Sequence, residues 1–141
     1  MNAYAIAGSR QRRYYVQSSA ALSDRDSWPL SSDYRPTANS LQGTGKRVGS
    51  DTQDWRVNAK IGYTPNATNE YTLNYTKQSG EKGAPLNVYN NPPVPPNSYW
   101  RWPRWDVQNT SLLTTTQLGA ASYLKAKAYY NVYENALECV R

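Results

Sequence analysis

The chain has no histidine and no phenylalanine, and only one cysteine and one methionine among its 141 residues. Without histidine it lacks the side chain that most often serves as general base or metal ligand near neutral pH. The lone Cys139 can form neither an intrachain disulfide nor a cysteine metal cluster. No enzyme activity and no cofactor are therefore expected. Long apolar runs are also missing, since no stretch approaches the roughly 20 apolar residues of a transmembrane helix. Met1-Asn2-Ala3-Tyr4 passes straight into alternating residues, without the basic start and apolar run of a secretory leader. A membrane role would need strands, and export would need a leader that these residues do not supply.

What the chain does contain suits a boundary better than a dry interior. Only 38% of residues are hydrophobic with Tyr and Ala counted, yet there are 13 Tyr and 5 Trp, aromatics that carry a polar tip. The formal charge of +6 suits a polyanionic partner such as nucleic acid, phosphate or lipopolysaccharide. Most basic residues are scattered. The one dense run is Arg10-Gln11-Arg12-Arg13, which reads either as a solvated turn between strands or as a polyanion contact.

Alternation is the strongest local signal. In Trp55 to Tyr63 the residues Trp55, Val57, Ala59, Ile61 and Tyr63 share one face, and Arg56, Asn58, Lys60 and Gly62 the other. Tyr71 to Lys77 alternates likewise across a short turn, so the pair predicts a β-hairpin. Further strands are predicted at Ala3 to Gly8, at Tyr14 to Asp24, from about Arg101 or Trp105 to Thr115 with Pro103 at its entry, and at Tyr123 to Asn135. The last of these also admits a helical reading, because Ala and Leu are good helix formers. The expected fold is all-β, an antiparallel up-and-down meander of about six long strands filling one domain, residues 1–141. Short turns are expected at about 9–13, 64–69 and 116–121, and long loops at about 25–51 and 80–98, the second holding Pro92-Pro93-Val94-Pro95-Pro96.

Short and long connections alternate, which puts the short turns at one end of the sheet and the long loops at the other. Outer-membrane barrels are built this way. Tyr14, Tyr63, Tyr71 and Tyr123 stand beside the short turns, whereas Trp55, Tyr75 and Trp105 approach the long-loop side. Two aromatic girdles would result, or else ordinary cross-strand aromatic pairs of a soluble sheet.

The run from Asp54 to Tyr71, continued by Asn74-Tyr75-Thr76-Lys77-Gln78-Ser79-Gly80-Glu81-Lys82-Gly83, resembles the barrel of TonB-dependent outer-membrane receptors. So do Tyr14-Tyr15-Val16-Gln17-Ser18-Ser19 and Asp24-Arg25-Asp26-Ser27-Trp28-Pro29-Leu30-Ser31. The resemblance extends over about residues 3 to 137. It implies a slice of a 22-stranded barrel in the outer membrane of a Gram-negative cell, without the plug, the energy-coupling box or the terminal aromatic strand of the family. The parent would take up a ferric siderophore or a similarly scarce ligand, with energy from the TonB complex delivered through the missing plug. Outer-membrane lipid and lipopolysaccharide are the further partners implied, and nucleic acid is not among them. A slice has two unpaired edges whose backbone groups lipid cannot satisfy, so alone it should aggregate or assemble with complementary strands.

Two clusters are candidates for chemistry. Asp24, Asp26 and Asp33 lie within ten residues beside Arg25 and Arg35, where solvated loop acids and a cation site compete. Tyr99, Trp100, Arg101, Trp102 and Arg104 interleave aromatics with guanidinium groups and continue into Trp105. Arginine grips anionic oxygens in a fork, and tryptophan adds stacking area. At the extracellular mouth this patch would bind an anionic siderophore or lipopolysaccharide. The competing readings are an aromatic girdle with strand-entry charges, or single-strand stacking on a soluble β-sandwich that binds carbohydrate or nucleic acid.

Overall fold

A computed structural model describes residues 1–36, 42–85 and 99–140. Six strands, β1 (Asn2–Arg10), β2 (Tyr14–Arg25), β3 (Thr52–Tyr63), β4 (Glu70–Ala84), β5 (Tyr99–Gly119) and β6 (Ser122–Val140), form one sheet in chain order. Every neighbouring pair is antiparallel. The fold is thus the expected all-β meander, and the segment that also admitted a helical reading is a strand. No helix among the described residues is long and apolar enough to cross a membrane, which has no bearing on crossing by strands.

The last three strands are longer than the sequence pattern indicates. Residues 80–84, expected in a loop, extend β4, because Lys82, Gly83 and Ala84 pair with Trp102, Arg101 and Trp100. Residues 116–119, expected in a turn, extend β5, where Thr116 and Gln117 pair with Leu124 and Tyr123. β6 likewise runs past Asn135, carried by pairs such as Arg101 with Glu138. Continuing a ladder satisfies backbone groups that a loop would leave to water. The proline-rich run 92–96 lies outside the described residues.

The register lines up residues of one kind across the sheet. Val16, Ile61, Leu73, Leu112 and Ala128 form one row on the apolar face, and Ser19, Asn58, Thr76, Asn109 and Asn131 form one on the polar face. Side chains tie the polar row together. Asn58 donates to Ser19 Oγ at 2.9 Å and accepts from Thr76 Oγ1 at 2.9 Å, and Asn109 donates to Asn131. Ile6, Val107 and Leu113 share this face, so its polarity is not uniform.

The described residues contain no buried hydrophobic side chain. Buried residues on the sheet, such as Thr72, Ser111, Gly62 and Gly80, belong to the polar face, whereas Ile61, Leu73 and Leu112 are 55, 49 and 45% exposed. The polar side is therefore the sheltered one, and no second layer covers the apolar side among the described residues. Rings of Tyr14 and Tyr63 stack at 4.8 Å and those of Tyr63 and Tyr71 at 6.4 Å, closing the apolar face at the short-turn end. Trp55 stands near its other end, eight residues from Tyr63. At about 3.3 Å per residue the band is about 26 Å long, measured along the strand.

Two expected girdle members are absent from that face. Tyr123 lies on the polar face, in step with Lys125 and Lys127. Trp105 is there too, in step with Val107 and Asn109 along an unbroken ladder with β6. Beyond it, β5 carries one residue more than β4 between the Gln78↔Val107 and Lys82↔Trp102 pairs. The same extra residue appears opposite β6, between the Arg101↔Glu138 and Arg104↔Ala136 pairs. It falls at Pro103, whose missing N–H makes a bulge the natural way to keep it in a strand flanked on both sides.

Candidate functional site

The long-loop end of the sheet is built around that bulge. Residues on either side of an inserted position change face, so Trp102 and Trp105, three apart, both project from the polar face. Their rings meet edge to face at 6.0 Å, and Trp105 meets Tyr133 in the same way at 5.3 Å. From β4, Lys82 brings its ammonium 3.4 Å from the centroid of Trp105 and 5.3 Å from that of Trp102. Fixed aromatic rings around one cation form a surface on which a flat or partly apolar ligand can stack, with a positive charge beside it for an anionic group.

The arginines of the expected patch are elsewhere. Arg101 projects from the opposite face, where Nη1 donates to Asp51 Oδ2 at 2.6 Å and Nη2 to Glu81 Oε2 at 3.3 Å. The hydrogen bond to Asp51 contributes most to raising its pKa above the ordinary value; partial burial opposes it, and Glu81 adds to the rise. Arg101 stands beyond the Trp55 end of the apolar band. Arg104 is also on that side, 3.5 Å from Glu134. Trp100 is on the polar face, paired with Cys139. Tyr99 opens β5 opposite Val140, and its side chain lies outside the described residues. The patch thus divides, its tryptophans on the polar face and its arginines engaged by carboxylates on the other.

The first long connection carries structure of its own. Pro29 and Lys46 form an antiparallel bridge, with Leu30 N donating to Gly45 O and Arg47 N to Trp28 O, each at 2.8 Å. Gln42 is fully buried at its centre, accepting from Val48 N at 2.9 Å and donating to Lys46 O at 2.9 Å. Gly49, with φ of 68°, presses its carbonyl against Gly83, where a Cβ would come 2.0 Å from that oxygen. This arm therefore sits on the end of β4. The ring of Trp28 lies 4.1 Å beneath the Arg25 guanidinium. Asp24, Asp26 and Asp33 do not converge, and among the described residues no three acidic, cysteine or histidine side chains form a metal-binding group.

No family model, curated protein or solved structure matches the chain. The arrangement of residues therefore has to carry the functional reading. Below the tryptophans, an open trough of about 540 Å³ runs along the polar face across β1 to β4, lined by Gln17, Asn58, Lys60 and Asn74 among others. Lys82, Trp105 and Tyr133 are the site residues that sequence patterning did not single out together. Tyr133 keeps step with Asn131 and Tyr129, and Trp105 with Val107 and Asn109, which are legible signals; the position of Trp102 on the same face depends on the bulge.

Proposed function

We propose that this sheet is a section of the wall of an outer-membrane β-barrel, part of a TonB-dependent receptor that takes up a ferric siderophore or a similarly scarce ligand. The observation that carries the reading is an exposed, mainly apolar band about 26 Å long along the strands, broken by Lys77 and Gln108 and ending in stacked tyrosines, on a sheet with no buried hydrophobic side chain among the described residues. An apolar face of that extent fits contact with hydrocarbon. At the strand tilt of about 40° usual in outer-membrane barrels it spans about 20 Å of the roughly 25 Å apolar belt, the rest falling to the residues beyond Trp55 and Tyr63. The sequence resemblance over residues 54–71 and the alternation of short and long connections support the same assignment. In this reading the polar face lines the lumen, the short turns face the periplasm, and the Lys82–Trp102–Trp105–Tyr133 cluster sits at the extracellular mouth. Energy would reach the transported ligand through a plug coupled to the TonB complex.

Spin labels test the faces directly. With labels at Val57, Leu73, Asn58 and Asn74 in a bilayer-reconstituted barrel, oxygen dissolved in lipid should relax positions 57 and 73, and an aqueous nickel chelate positions 58 and 74. Equal access at all four positions would refute the assignment. The transport reading is tested by titrating ferric siderophores against tryptophan fluorescence. Quenching that survives Trp102→Leu and Trp105→Leu together would place the ligand elsewhere.

A further inference from the structure

At the short-turn end, away from the tryptophan cluster, the β1–β2 and β3–β4 turns stand side by side. Thr64 N donates to Arg13 O at 2.8 Å and Thr64 Oγ1 to the same oxygen at 3.3 Å, while Gln11 N donates to Tyr14 O at 2.7 Å. The β3–β4 turn is itself fixed by Asn66 Oδ1, which accepts from Thr68 N, Thr68 Oγ1 and Asn69 N. Between these turns and the start of β6 lies an open bowl of about 660 Å³ whose lining includes Arg10, Arg12, Arg13 and Lys125.

The bowl has four cations and the single carboxylate of Glu70, an excess of three out of the chain's +6. Among the described residues none of the four cations forms an ion pair, the three ion pairs there all belonging to Arg101 and Arg104. Arg10 rests over the Tyr15 ring at 5.6 Å and Lys125 over Tyr123 at 5.3 Å, contacts that leave their N–H groups available. Glu70 accepts the Tyr15 hydroxyl at 2.5 Å. Like charges held together by rigid turns repel one another, and an anion relieves that cost.

Size indicates which anion. Arg10 is on β1 and Lys125 on β6, the two edges of the sheet, five strand spacings of about 4.8 Å apart along a flat sheet, or about 24 Å. Curvature and the reach of the long side chains shorten that span, and a ligand with several carboxylates along its length engages more of the four cations at once than one phosphate or lipid headgroup does. An extended peptide rises about 3.3 Å per residue and places every second side chain on one side, so carboxylates at alternate positions reach all four cations. Guanidinium forks match carboxylates. Of the aromatics on the polar face at this end, Tyr15 is occupied by Arg10, Lys60 and Glu70, while Tyr123 carries Lys125 over one side of its exposed ring, so a stacked base is the outcome that the test must separate from a peptide.

We propose that this bowl docks an acidic, extended peptide segment of a partner protein, gripped by Arg10, Arg12, Arg13 and Lys125. The proposal stands independently of the membrane reading.

The test is fluorescence anisotropy of a labelled octapeptide with Asp at alternate positions, added to the full chain in a non-ionic detergent. Saturable binding is expected at about 0.1 M salt and its loss at about 1 M, where the screening length falls from about 10 to about 3 Å. Arg12→Gln, Arg13→Gln and Lys125→Gln should each weaken binding about two- to fivefold, the upper part of the range for one exposed charge pair. Lys77→Gln, on the apolar face, should leave it unchanged. No binding, insensitivity to salt, or an equal loss in the Lys77 variant would overturn the proposal. So would tighter binding of a single-stranded oligonucleotide, or of bicelles containing phosphatidylglycerol, than of the peptide. Should an arginine variant lose its β-sheet circular dichroism, the comparison of Lys125→Gln with Lys77→Gln decides.

Discussion

The ring of Tyr15 covers Gly62, its partner across the β2–β3 ladder, so closely that a Cβ at position 62 would lie 2.1 Å from the ring carbons. The ring has little room to move, because its hydroxyl is bound to Glu70 and Lys60 lies 5.3 Å over its face. An aromatic laid over a glycine in this way is a recurrent device for holding register.

Gly62→Ala should therefore destabilise the sheet by about 1–3 kcal/mol, the usual cost of overpacking. The same change in a Tyr15→Ala background should cost much less. Urea unfolding in detergent, followed by circular dichroism, measures both, and equal costs would show that the ring does not restrain position 62.

Lys82 and Trp105 should be energetically coupled. A double-mutant cycle with Lys82→Met and Trp105→Leu is expected to give about 0.5–1 kcal/mol, the range for an exposed cation–π pair. Zero coupling would mean that the ammonium does not reside over the ring.

Gln42→Ala should open the arm between β2 and β3. It removes the acceptor of Val48 N and the donor to Lys46 O, groups whose loss costs about 1–3 kcal/mol when left unsatisfied. Trypsin cleavage after Lys46 and Arg47 should accelerate by at least about tenfold. An unchanged rate would show that the bridge between Pro29 and Lys46 holds the arm without Gln42.

Amide exchange should rank the strands by position in the sheet. β3 and β4 have ladders on both sides and should exchange slowest, whereas β1 and β6 each leave one edge unpaired among the described residues. Alternate amides of β6 that exchange as slowly as those of β4 would indicate a partner strand on that edge.

The faces of β2, β3 and β4 were legible in the sequence because period two needs only a count. Val57 and Asn58 could be assigned to opposite sides without knowing any contact. Tyr123 was legible in the same way, since it keeps step with Lys125 and not with Leu124; its nearness to a turn says nothing about its face. Trp105 was legible too, in step with Val107 and Asn109, but Trp102 was not. One inserted residue at Pro103 reverses the count, and a proline at a strand entry has the same sequence pattern as a proline in a bulge. The division of Arg104 from Trp102 follows from that same insertion, whereas Arg101 and Trp102 are neighbours and alternate in any strand. The arm held by Gln42 was hidden for another reason, since a buried glutamine among Ser, Gly and Thr has the composition of a loop.

In the backbone ladders each strand pairs with the strands that precede and follow it in the chain, while Tyr15 reaches across β3 to Glu70 with its side chain. Such an arrangement is one-dimensional, like a repeat protein whose units recognise only their neighbours. Hairpins can be gained or lost at either edge while every interior interface stays intact, and adding them in pairs of strands preserves which end carries the short turns. The circumference of any wall made from this ribbon is then a matter of copy number, and duplication of a hairpin can enlarge it without redesigning what is already folded.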